Sequence, residues 1–146
     1  MRGWQLAGLC SVSVRQATVV NWMLLGVYFT RELLHKMKKV NSAKCLGCGL
    51  DVIENLSHFL LHCVFYKQIR EEYLPKFVSL NMNIPAIIEN EDQVLVSILD
   101  PISSKLPESV RKGWTSVKMA YEVSRQFCSN MHRKRDKFYN DLDKTK

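Results

Sequence analysis

Four residues near the middle of the chain have the types and spacing of a metal site. Cys45 and Cys48 are separated by two residues, nine more lead to His58, and a further four to Cys63. Three thiolates and one imidazole are a full ligand set for a tetrahedral Zn2+ ion, delivered here by one continuous segment. Two residues between cysteines is the length of a tight turn on which two sulfurs converge. Gly47 and Gly49 lie where that turn needs a permissive backbone. Residues 55–62 read as a short helix that brings the distal ligands back to the turn. The fourth ligand is open between two residues. On a regular helix His62 shares a face with His58, whereas Cys63 is turned away from it. In favour of Cys63, a thiolate is the softer zinc ligand and sits at the helix end, where the chain can bend. Cys63 is the expected ligand and His62 the alternative.

These residues also carry a resemblance. Cys45 to Cys48, His58 to Cys63 and the following Tyr66 to Arg70 resemble the zinc-binding region that follows the polymerase in reverse transcriptases of non-LTR retrotransposons. The likeness extends upstream through Val14 to Ala17 and Met23 to Tyr28, and downstream through Ile98 to Pro101 and Tyr121 to Lys137, so it covers most of the chain. Many members of that family carry proline after the first cysteine, where this chain has Leu46. The resemblance implies a module that holds RNA or DNA beside a polymerase active site that this stretch does not itself contain.

The elements that must position the ligands are helical. Residues 11–27 carry Val14, Ala17, Trp22, Met23 and Leu25 near helical spacing, although the β-branched run Thr18 to Val20 also suits a strand. Thr30 to Met37 reads as a short helix with Leu33, Leu34 and Met37 inward. A helix after Cys63 should run through Tyr73 and stop at Pro75, and residues 93–99 form another behind an acidic start. From Pro107 to about Tyr139 the residues Val110, Trp114, Val117, Tyr121, Ser124, Cys128 and Met131 alternate by four and three, the seam of one long helix. Its C-terminal end is expected to project. The expected fold is all-α, a small helical domain nucleated by the Cys-Cys-His-Cys site and carrying a long C-terminal helix. Residues 11–80 would form the zinc module, 81–140 a helical extension packed on it within one domain, and 141–146 a tail.

The net charge of +7 is unevenly placed. Residues 31–44 carry +4 and 111–137 carry +6, while 81–110 carry −4. Two basic blocks around an acidic middle point to a polyanion, so the expected partner is nucleic acid, RNA or DNA, read with little sequence preference. The residues expected to grip phosphate are Lys36, Lys38, Lys39 and Lys44 in the first block. In the second they are Arg111, Lys118, Arg125, Arg133, Lys134, Arg135 and Lys137. Arg111, Lys118, Arg125 and His132 recur every seven residues as a stripe beside the seam. A structural or protein-interaction module that docks through the long helix is the alternative.

Catalysis is not expected. The adjacent acidic pairs, Glu71 with Glu72 and Glu91 with Asp92, lack the surroundings of a polymerase metal site. A four-ligand zinc leaves no position for a reactive water. Only if three ligands bound would Glu54, the nearest acid, re-enter as a general base. Five scattered and clustered cysteines do not suggest a disulfide framework, and the N-terminus lacks a clean cleavage pattern. The expected setting is intracellular, nucleus or cytoplasm. No membrane span is expected either, since Asn21 breaks the stretch from Ala17 to Phe29.

Overall fold

The computed structural model describes residues 14–79, 95, 98, 99 and 114–144. The described residues form an all-α fold without strands. Helix α1 spans Val14–Leu24, α2 Arg31–Lys36, α3 Lys67–Ser79 and α4 Trp114–Lys144. Leu95, Ile98 and Leu99 are helical as expected, the last two buried; the rest of that segment, the start of the long helix and Arg111 lie outside the described residues. No helix among the described residues is long and apolar enough to cross a membrane.

Helix α4 is the beam on which the other elements rest. Its 31 residues extend about 46 Å at ~1.5 Å per residue. Ala120, Tyr121, Ser124, Phe127, Cys128 and Met131 are all buried, so the seam lies where the four-and-three spacing places it. Helices α1 and α3 pack on it. Asn130 of α4 donates to the Tyr73 hydroxyl of α3 at 2.6 Å, and Phe77 meets Phe127 edge to face at 5.6 Å. Ser124 donates to the carbonyl of Ile98, tying residues 98 and 99 to the same helix. Cys128 is fully buried, and burial pushes its thiol up to about 12, which leaves it a core residue and not a nucleophile.

Local differences from the expected elements have physical reasons. Helix α3 does not stop at Pro75 but continues to Ser79. Pro75 faces solvent, where the carbonyl it leaves without a backbone donor can meet water, while buried Tyr73 and Phe77 hold both flanks against α4. In α1 the inward residues are Ala17, Val20 and Met23 with Val19 beside them, and Trp22 and Leu25 face out. Helix α2 is capped by Thr30, whose hydroxyl accepts from the Leu33 amide at 3.3 Å, and buries none of its residues; Met37 is an exposed C-cap. The end of α4 does not project. Phe138 packs on Phe65 at 4.8 Å, and Tyr139 reaches the buried Glu54.

Candidate metal centre

The Cys45 to Cys63 segment folds as a knuckle and a short distorted helix. A single antiparallel bridge pairs Lys44 with Ile53. Cys45 donates its amide to Val52 at 2.7 Å, and Glu54 donates to Ala43 at 2.9 Å. Within this closed loop Gly49 takes a φ of +65°, a conformation that costs an ordinary residue about 1 kcal/mol or more. Gly47 is needed for space instead. A Cβ there would lie 3.2 Å from the Phe65 ring, which covers the back of the turn.

The return helix decides which residue joins the other three. Asn55 caps it by accepting from the His58 amide at 2.7 Å. From His58 to His62 the chain is π-helical, and the Cys63 amide bonds the His58 carbonyl at 2.7 Å, an i to i+5 closure. A widened turn brings residues five apart into line, which an undistorted helix does not. Cys63 therefore faces the cluster, and the exposed His62 lies outside it. Wide turns of this kind recur at functional sites.

The ligand atoms of Cys45, Cys48, His58 and Cys63 all lie within 4.8 Å of one another, a grouping that can hold a metal ion. Cys45 Sγ and Cys63 Sγ are 3.7 Å apart, and Cys48 Sγ lies 3.6 Å from His58 Nε2. A tetrahedral centre with bonds of ~2.3 Å to sulfur and ~2.0 Å to nitrogen has edges of about 3.8 Å between sulfurs and about 3.5 Å between sulfur and nitrogen. These two edges thus lie within about 0.1 Å of the required length. The 3.7 Å sulfur separation is also far from a disulfide bond, at ~2.05 Å. Cys45 and Cys63 are buried, whereas Cys48 and His58 are partly open. Burial raises the Cys45 thiol and, with the neighbouring sulfurs, pushes Cys63 up to about 12, while burial lowers His58. The buried thiols need a counter-cation before they ionise, and a bound metal supplies one.

Around the cluster stands a network that sequence reasoning misassigned. Glu54 is completely buried. Its carboxylate accepts from Arg135 Nη2 at 2.6 Å, from the Arg31 amide at 2.9 Å and from the Tyr139 hydroxyl at 3.2 Å. Arg135 also lies over the rings of Tyr139, Phe59 and Tyr28. Burial alone would lower its pKa, but the hydrogen bond and charge of Glu54 reverse that and hold it above its ordinary value. Arg135 is consequently not a phosphate-gripping surface residue, and Glu54 is not available as a general base.

Two further residues of the second basic block are corrected in the same way. Arg125 is buried, with its guanidinium 4.1 Å from the centre of the Tyr121 ring. Lys134 donates to the Phe65 carbonyl at 2.7 Å and lies over that ring, so it fastens α4 to the back of the knuckle. The physical reason is helical geometry: Arg125, His132 and Arg135 follow Tyr121, Cys128 and Met131 by four residues and remain on the inward edge. His132 accordingly meets the Tyr28 hydroxyl at 2.7 Å. Lys36, Lys38, Lys39, Lys44, Arg133 and Lys137 are exposed and Lys118 half-buried. Of these, Lys36 pairs with Glu32 and Lys44 with Asp51.

On the far side of the cluster, Arg70 of α3 donates Nη2 to the Cys63 carbonyl. It is buried, and its Nη1 has no hydrogen-bond partner. Comparison of the chain with protein-family models, with curated proteins and with solved structures gives no match.

Proposed function

We propose that this chain is a zinc-dependent nucleic-acid-binding module, similar to the region that follows the polymerase in non-LTR retrotransposon reverse transcriptases, and that it has no catalysis of its own. The observation that carries the metal part is the convergence of three sulfurs and one imidazole nitrogen within 4.8 Å of one another, with two of the separations close to tetrahedral edges. Thiolate-rich tetrahedral sets favour zinc over the hard cations, which take oxygen. Four protein ligands close the coordination sphere, and the nearest buried acid is already engaged by Arg135, Tyr139 and a backbone amide. The metal's role is then to fix the knuckle and, through Glu54, the end of α4.

Nucleic-acid binding is supported by the excess of positive charge and by exposed cations that form no ion pair among the described residues, chiefly Lys38, Lys39, Arg133 and Lys137. Lys36 and Lys44 are held only in exposed pairs that a phosphate can replace at little cost. Each phosphate contact releases counterions, so affinity should fall linearly with the logarithm of salt, with slope ~0.9 per contact on duplex DNA and ~0.7 on a single strand. In fluorescence-anisotropy titrations, replacing Lys38, Lys39 and Lys44 by alanine should lower affinity and reduce the slope by about two to three contacts' worth. Sequence preference should stay slight. Undetectable binding at low salt by folded, zinc-loaded protein would remove nucleic acid from the account.

One observation favours a protein-docking reading as the second choice. The seam of α4 is already covered by α1 and α3, but Trp22, Leu25, Val27 and Phe29 form an exposed apolar stretch where α1 ends.

A further inference from the structure

We infer that Arg70 is the charge-compensating residue of the metal centre: its buried guanidinium balances the negative charge that a zinc ion leaves on three thiolates. The inference rests on the zinc reading and deepens it. A divalent ion bound by three thiolates and a neutral imidazole carries a net charge of −1, held partly in the protein interior. Such a charge is costly to bury without a counter-charge.

Arg70 is placed to supply it. The residue retains only 9% exposure, and it sits about one helical turn beyond the 3-10 turn Val64–Tyr66 that follows the last ligand. Its Nη2 donates to the carbonyl of Cys63, one of the two buried cysteine ligands, so the guanidinium lies beside a ligand residue and within reach of its sulfur's charge. Among the described residues no carboxylate pairs with it, and Nη1 is buried without an acceptor. A buried arginine normally has an anion. The other interior acid of this region, Glu54, is fully used by Arg135, Tyr139 and the Arg31 amide. Among the described residues, the anion left for Arg70 inside the protein is the metal-thiolate cluster. Glu71, its neighbour on α3, also bears on the Arg70 charge, but its carboxylate pairs in solvent with Lys67 at 3.7 Å.

Two roles could place an arginine there, a charge role toward the cluster and a purely structural bond to the Cys63 carbonyl, and they predict different mutants. Zinc affinity is measured by competition with a chromophoric chelator on the whole chain, first for the wild type; failure of the wild type to bind zinc would sink the zinc reading itself. Arg70→Lys keeps the charge and should bind zinc within about threefold of wild type. Arg70→Gln keeps a donor but loses the charge and should bind about tenfold to a hundredfold more weakly, the usual scale for outer-shell partners of a metal. The decisive comparison repeats the Gln substitution in a Cys48→His background, whose two-thiolate, two-imidazole zinc site is neutral. There the loss should shrink to threefold or less. Wild-type affinity in Arg70→Gln, or an equal loss in both backgrounds, would overturn the charge role. Should Arg70→Gln fail to fold, Arg70→Lys decides: near wild-type affinity supports the inference, and a tenfold loss refutes it.

Discussion

Replacing Cys63 by serine will abolish stoichiometric metal binding and leave the purified chain largely unfolded, while His62→Ala will do neither. Structural zinc contributes an apparent ~10–16 kcal/mol in small finger modules, which equals or exceeds the ~5–15 kcal/mol stability of an ordinary domain. Here the consequence reaches beyond the knuckle, because Cys63, Phe59, Leu60 and Tyr66 share one buried cluster with residues of α1, α3 and α4. Serine keeps the size but not the soft thiolate. The exposed His62 stands outside the ligand group and cannot replace it without rewinding the π-helical turn. Metal analysis and circular dichroism of the two variants, beside wild type treated with a chelator, check the expectation. Unchanged metal content and helicity in Cys63→Ser would contradict it.

The second large effect concerns Glu54 and Arg135, which sit 81 positions apart in sequence and close the knuckle onto α4. Arg135→Met should cost about 3–5 kcal/mol, because it strands a fully buried carboxylate with only an amide and a hydroxyl for company. Glu54→Gln should be destabilising on a similar scale, since it leaves the guanidinium without its anion. The double variant should cost less than the sum of the two, as expected for directly coupled residues. Denaturant unfolding of the zinc-loaded variants measures this. Amide exchange should locate the loss in residues 132–144, which lie at the docked end of α4. Additive effects within about 0.5 kcal/mol would mean that the pair does not act as a unit.

Much of this was legible in the sequence, and the parts that were not share a cause. The ligand spacing and the α4 seam are local periodic signals, and Tyr121, Ser124, Cys128 and Met131 are buried where that period puts them. The grouping of Cys63, and not His62, with the other three residues turned on a π-helical turn, which no spacing rule announces. Arg125, Lys134 and Arg135 were misread because charge suggests solvent. Their partners, the Tyr121 ring, the Phe65 carbonyl and the Glu54 carboxylate, come mostly from distant elements. A signal was present nonetheless: Arg125 and Arg135 follow inward seam residues by four, so they could not lie on the solvated face. Glu54 carried no signal at all, being a lone acid in a loop whose burial depends on a helix 81 residues away.

The most direct measurement is X-ray absorption at the zinc edge on protein purified without added chelator, together with its metal content. The account predicts one zinc per chain with three sulfurs at ~2.3 Å and one nitrogen at ~2.0 Å. A folded chain without metal, or a shell of two sulfurs and two nitrogens, would contradict it.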